Sequence, residues 1–230
     1  ASFFDEITFK INHREFYTVT GIYKGKSISV ISTGIGTDNI DIVINELDAL
    51  FNIDLNTRTE KEVKTKLDLI RIGTCGLIQR ETDLHCFILS TGAIGLDNVA
   101  HFYPLNYTEE ETDLLSAFKT FVSFPETIQP YFVNANESLI SKFDSNQVTK
   151  GLTVTASGFY GPQGRSLRLG LFKDDINERL TDFSFSGRKI QNFEMESSAL
   201  FALGKGLGHQ CVTLCLGVAN RTANTFSKGY

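Results

Sequence analysis

At 230 residues, 41% apolar and 21% charged, with a formal net charge of −5, the chain has the composition of an ordinary globular protein long enough to bury a full core. The acidic balance excludes a general nucleic-acid or membrane-surface binder, because there is no basic stripe for either to use, so any bound anion must meet a local site. The longest apolar runs fall short of the roughly 18 to 20 residues of a membrane span, and no signal-peptide pattern opens the chain, so the expected address is cytoplasmic.

In chain order, residues 16 to 23 (FYTVTGIY) and 27 to 33 (SISVIST) read as two strands joined by a Lys24-Gly25-Lys26 turn. The second runs into GIGTDN, where Asp38 is the expected N-cap of a helix with apolar positions Ile40, Val43, Ile44, Leu47, Leu50 and Phe51. The charged stretch 56 to 68 is a solvated connection. LIRIGTCG (69 to 76) reads as a short buried strand ending in a glycine turn, and CFILST (86 to 91) as the next strand. Residues 109 to 121 form a surface helix capped by Thr108 with Glu111 as its box partner. GLTVTAS (151 to 157) is a strand feeding the loop FYGPQGR, and CVTLCLGVA (211 to 219) is too apolar for a half-exposed strand and is therefore central. Between them NFEMESSALFALGKGLG (192 to 208) starts a helix in which Glu196, Leu200, Leu203 and Leu207 share one side. With no repeat or linker, the expectation is one α/β domain over 1–230, a central mixed β-sheet flanked by helices, with ligands at the carboxyl ends of strands.

Several polar groups sit at the predicted strand ends. Arg71 lies inside an apolar strand and precedes Gly73-Thr74-Cys75-Gly76, so guanidinium, hydroxyl and a nest of backbone amides together suit a phosphate, unless Arg71 snorkels to the surface. Gln163 and Arg165 follow Phe159 and Tyr160. An amide and a guanidinium can read the edge of a planar base while an aromatic stacks on it; the alternative is a solvated loop. Asn220-Arg221 brings another arginine to a strand end, for a ligand or for pairing with an acid. Glu196 heads an apolar helix face and is either a functional acid or a dipole partner, the simpler role also read for Glu194. Gly34 and Gly36 lack the third glycine of a dinucleotide fingerprint. The cysteines, Cys75, Cys86, Cys211 and Cys215, have no zinc-ligand spacing and read as small core residues, and neither they nor the histidines imply a metal. The sole methionine, Met195, is internal, so Ala1 is not a translation start and a processed, cut or incompletely represented N-terminus is expected.

Taken together, HREF (13 to 16), STGIG (32 to 36), RIGTCG (71 to 76), FYGPQGR (159 to 165), NFEMES (192 to 197) and NRT (220 to 222) resemble the uridine phosphorylases of the nucleoside phosphorylase superfamily, in order over nearly the whole chain. The resemblance implies phosphorolysis of uridine or deoxyuridine to uracil and a pentose 1-phosphate, with phosphate as co-substrate and no organic cofactor. It implies Arg71 and Thr74 as phosphate ligands, together with Arg14 reaching into a neighbouring subunit's site. Met195 and Glu196 would clamp the ribose, and Phe159, Gln163, Arg165, Phe193 and Arg221 would surround the base, with Arg71, Glu196 and Arg165 carrying catalysis. It also implies a homo-oligomer built from dimers, often a hexamer. The resemblance also implies a pyrimidine, because purine-directed relatives generally carry an aspartate at the last strand end, which here reads Ala219-Asn220-Arg221. The family's first strand and Gly-Asp-Pro-x-Arg phosphate loop have no counterpart before Ala1, nor its last helix after Tyr230. The alternatives are a non-catalytic nucleoside binder, a phosphorylase of another nucleoside and, from GIGTDN alone, a dinucleotide-dependent oxidoreductase.

Overall fold

The computed structural model describes residues 3–143 and 147–228. Strands β1 (Glu6–His13), β2 (Phe16–Tyr23) and β3 (Lys26–Ser32) form a separate antiparallel sheet in that order. Lys24 and Gly25 join β2 to β3 with φ of 49° and 74°, the two left-handed residues that a tight hairpin requires. β1 adds to the predicted elements, although Ile7, Phe9 and Ile11 alternate with Thr8, Lys10 and Asn12 as an edge strand should.

Helix α1 (Thr37–Asn52) follows, and its N-cap is Gly36, not Asp38. At φ 104° Gly36 turns the chain into the helix early, which leaves Asp38 in the first turn, where its charge still complements the macrodipole. Two-residue strands β4 (Ile53–Asp54) and β5 (Thr59–Glu60) pair within the charged connection. Then come β6 (Asp68–Leu77), β7 (Phe87–Gly95) and α2 (Glu109–Val122), whose predicted Thr108–Glu111 capping box is present. The remainder is β8 (Tyr131–Asn134), α3 (Glu137–Ile140), β9 (Val148–Thr155), α4 (Ile176–Asp182), β10 (Ser184–Phe185), β11 (Arg188–Glu194), α5 (Ser197–Leu207), β12 (Gln210–Asn220) and β13 (Thr225–Phe226).

The central sheet is mixed and closes on itself. β12 pairs with β6 in parallel, β6 with β11 antiparallel, β11 with β9 in parallel, β9 with β7 in parallel, and β7 returns antiparallel to β12. β7 serves three partners because a register shift between Ser90 and Gly92 divides it: one edge follows β9 throughout, while the other pairs with β12 at Phe87–Ser90 and with β8 at Gly92–Gly95. Helices α1 and α5 pack on one side through Ile40, Val43, Ile44, Ala199, Leu200 and Leu203, and α2 and α4 on another through Leu114, Phe118, Ile176 and Leu180. α5 is buried almost all round, as its composition requires, but it begins later than the sequence pattern places it. Asn192 and Phe193 are held in a ladder opposite Leu77 and Gly76, so NFE is the end of β11 and Glu196 is the N-cap position of α5. Among the described residues no helix is long and apolar enough to cross a membrane.

Candidate active site

The antiparallel pairing of β11 with β6 decides where the polar groups meet. β11 pairs antiparallel with the last two residues of β6 and the chain then runs back toward the middle of that strand, so Glu194 and Glu196 face Arg71 within β6 and not at its end. The predicted glycine turn at 73–76 is likewise absent, because β6 continues as a strand through Leu77. Its glycines clear space instead: a Cβ on Gly73 would lie 2.8 Å from an Arg71 guanidinium nitrogen, and one on Gly76 would lie 2.6 Å from Nε of Arg221. Strand pairing with β12 and β11 uses this backbone, which replaces the expected nest of free amides.

Arg71 is embraced on three sides. One terminal nitrogen lies 3.1 Å from Oε2 of Glu194 and donates to Sγ of Cys215 at 3.2 Å, and the other donates to Oε2 of Glu196. Glu194 is locked in place: its Oε1 accepts the Thr155 hydroxyl at 2.5 Å, and its Oε2 accepts the backbone N–H groups of Glu196 and Ser197 at 3.0 and 2.9 Å. It therefore caps α5 from outside the helix, the helix-terminus role read from the sequence, and adds an ion pair that the sequence did not reveal. Glu196 takes the Gly36 N–H at 2.8 Å and that of Met195 at 3.3 Å. The side chains of Glu194, Glu196 and Arg71 are 1%, 7% and 15% exposed, so two carboxylates and one guanidinium share a nearly dry site. Burial works to lower the Arg71 pKa, but Glu194, Cys215 and Glu196 together hold it above the ordinary arginine value. Burial and the charge of Glu194 lift the Glu196 carboxyl above the usual range, against the pull of Arg71.

A second cluster lies across the β6–β12 seam. Arg221, just past β12, donates through one terminal nitrogen to Oε1 of Gln163 and through the other to the Gln163 carbonyl at 3.3 Å, and its guanidinium stands 5.4 Å over the Phe193 ring. Gln163 is buried, so its amide orientation is fixed by this pair and its N–H2 is left to donate elsewhere. Arg165 does not meet Gln163 side by side. Its guanidinium stacks 3.7 Å above the Phe159 ring, 5.1 Å from that of Tyr160, and its Nε donates to the Phe159 carbonyl at 2.9 Å. Burial, with Arg165 adding like-charge repulsion, lowers the Arg221 pKa to about 10. Two thiols adjoin the Arg71 cluster: Cys215 touches Arg71, and Cys75 has its pKa pushed up by a hydrogen bond to Cys215 and by burial. These cysteines are buried, as expected, but they floor the site and are not remote core.

Two expected residues, Thr74 and Arg14, stand apart from these clusters, whereas Met195 does not. Thr74 is exposed, and strand alternation turns it to the face of β6 opposite Arg71. Arg14 occupies the exposed β1–β2 turn at φ 53° and makes no ion pair among the described residues. Met195 contributes its backbone beside Glu196. Sequence reasoning missed Glu194 as a partner of Arg71, and Gly36 as a donor to Glu196; these two residues are 160 positions apart, beyond any local pattern. Among the described residues no group of three or more His, Cys, Asp or Glu side chains is placed to hold a metal ion.

A family model described as the phosphorylase superfamily matches residues 1–227. The chain is 30% identical over 228 residues to a uridine phosphorylase of Thermococcus kodakarensis, covering 99% of this chain and 70% of that protein. It is 33% identical over 210 residues to a DeoD-type purine nucleoside phosphorylase of Bacillus cytotoxicus, covering 90% and 69%. Its fold superposes on that of a Trypanosoma brucei nucleoside phosphorylase described as showing uridine phosphorylase activity, with a TM-score of 0.87, 29% identity, and coverage of 99% and 82%.

Proposed function

The chain belongs to the phosphorylase superfamily, and on that premise we propose that it is a uridine phosphorylase, a pentosyltransferase that converts uridine and inorganic phosphate to uracil and ribose 1-phosphate. The observation that carries this reading is the division of the site. One half places a guanidinium between two buried carboxylates, and the other sets two arginines and an amide against aromatic rings.

In the proposed reaction a phosphate oxygen bonds to C1′ of the ribose as the bond from C1′ to the uracil nitrogen breaks, and the bonding pair leaves with the base. Arg71 holds the phosphate. Glu196, with the Met195 backbone beside it, holds the 2′- and 3′-hydroxyls and sets a negative charge near the sugar as it becomes cationic. The Gln163 amide N–H2 donates to a uracil carbonyl, and Arg165 and Arg221 stabilise the negative charge that departs on the ring. Phe159 and Phe193 wall the base. Fixed charges of this kind contribute on the order of 10² to 10³ in rate each, because they need no reorganisation as charge develops. These residues require no organic cofactor for the steps described. Thr74 and Arg14 are proposed phosphate ligands as well. Arg14 on its exposed turn is suited to a neighbouring copy's site in a homo-oligomer.

The test is release of uracil from uridine, followed by the change in ultraviolet absorbance, with and without phosphate. Phosphate-dependent release is expected, with inosine cleaved far more slowly. Phosphate-independent release would point to hydrolysis and overturn the proposal. A preference for inosine would assign the site to a purine.

A further inference from the structure

The trio around Arg71 carries one positive and two negative charges, so one carboxylate is in excess. The two acids are not equivalent. Glu194 has three hydrogen bonds besides the ion pair, from the Thr155 hydroxyl and two backbone amides, and no freedom to turn. Glu196 is held by two single amides, and its carboxylate is the one able to exchange Arg71 for ribose hydroxyls. If Glu194 were uncharged, Arg71 and Glu196 would form an exclusive buried pair, and a buried pair of that kind resists separation. We infer that Glu194 is a positioning residue for phosphorolysis: its fixed charge satisfies Arg71, so that Glu196 remains the surplus carboxylate, free to bind ribose and to face the developing sugar cation. This rests on the uridine phosphorylase reading above.

Glu194→Gln isolates the charge from the shape. Oε2 faces Arg71 and accepts both amides, so a glutamine with its oxygen there keeps the α5 cap, while its nitrogen can donate to the Thr155 hydroxyl from the Oε1 position. In the full-length protein the uridine KM is expected to rise about tenfold, the size of one charge-assisted hydrogen bond. Phosphate affinity, measured by calorimetry with inorganic phosphate alone, is expected to be unchanged or tighter, because a nearby anion has been removed. Parallel weakening of uridine and phosphate would mean general structural damage, and an unchanged uridine KM would mean that Glu194 acts only as a cap. Either result overturns the inference. Should the glutamine variant not fold, Thr155→Val leaves Glu194 charged but removes its Oε1 anchor, together with the hydroxyl that accepts the Ser198 N–H. With both carboxylates still charged, the uridine KM is expected to rise by less than about tenfold while phosphate affinity stays unchanged, and equal losses, or none, would overturn the inference. A wild-type enzyme that fails to cleave uridine would sink the functional reading instead, whereas the calorimetric comparison with phosphate judges Glu194 by itself.

Discussion

The two halves of the site solve the burial of charge in opposite ways. Around Arg71 one guanidinium is shared by two carboxylates of the protein, and a ligand must compete for groups already engaged. Around Arg221 and Arg165 there is no ion pair among the described residues, and an amide, backbone carbonyls and ring faces meet the two guanidiniums. Burial of an unpaired cation is unfavourable, which the lowered pKa of Arg221 reflects, and the cost is offset when an anion forms nearby. A self-paired half suits a substrate that brings its own charge and hydroxyls. A cation-rich half suits a neutral base that becomes negative only as it leaves.

The largest effect should come from removing the exchangeable carboxylate. Glu196→Ala is expected to lower kcat/KM for uridine by about 10²- to 10³-fold, yet to leave the melting temperature unchanged or raised, since Arg71 and Glu194 remain as a balanced pair. A melting temperature that collapsed along with activity would make Glu196 structural. Next, Arg165→Ala should lower kcat/KM by about 10²-fold with little effect on phosphate affinity, which steady-state kinetics at varied phosphate would separate.

The glycines separate the halves more finely. Gly73→Ala presses on Arg71 and Gly76→Ala on Arg221, and neither residue has a positive φ that would strain the backbone. Shifting a guanidinium off one charged hydrogen bond weakens binding by about tenfold. Gly73→Ala should therefore raise the phosphate KM and Gly76→Ala the uridine KM. If both variants raised both constants alike, the division into two halves would be lost.

The smallest effect concerns pH. Because the folded Glu196 pKa is raised above its unfolded value, near 4.3, the folded state binds more protons between the two values. The stabilising contribution of the protonated carboxyl is present below this window and lost as pH rises through it. Measured by chemical denaturation, Glu196→Gln should therefore gain stability relative to wild type as pH rises from about 4 to neutrality. A constant difference would show that the carboxyl is not perturbed.

Much of the fold was legible because its signals are local. The β2–β3 hairpin, the Thr108 capping box and the apolar run of β12 each follow from spacing within a dozen residues. The site was legible in its residue types but not in its pairings. Arg71, Glu196, Gln163 and Arg221 were all expected. Sequence spacing nevertheless grouped Gln163 with Arg165, two residues away, whereas the structure joins it to Arg221, 58 residues on. Glu194 was read correctly as a helix-terminus acid, but its second duty depends on β11 running antiparallel to β6, a choice made by the closed sheet and invisible to any local pattern. The glycines of β6 misled for a similar reason, since small residues that make room for arginines look like a turn.

The most direct measurement follows phosphorus. With uridine and phosphate in equal amounts, phosphorus NMR is expected to show a sugar 1-phosphate signal growing in step with free uracil for the wild-type protein, and neither product for Glu196→Ala over the same interval. Uracil appearing without the phosphomonoester, or no change in either with wild-type protein, would contradict a site divided between phosphate and ribose on one side and a departing pyrimidine anion on the other.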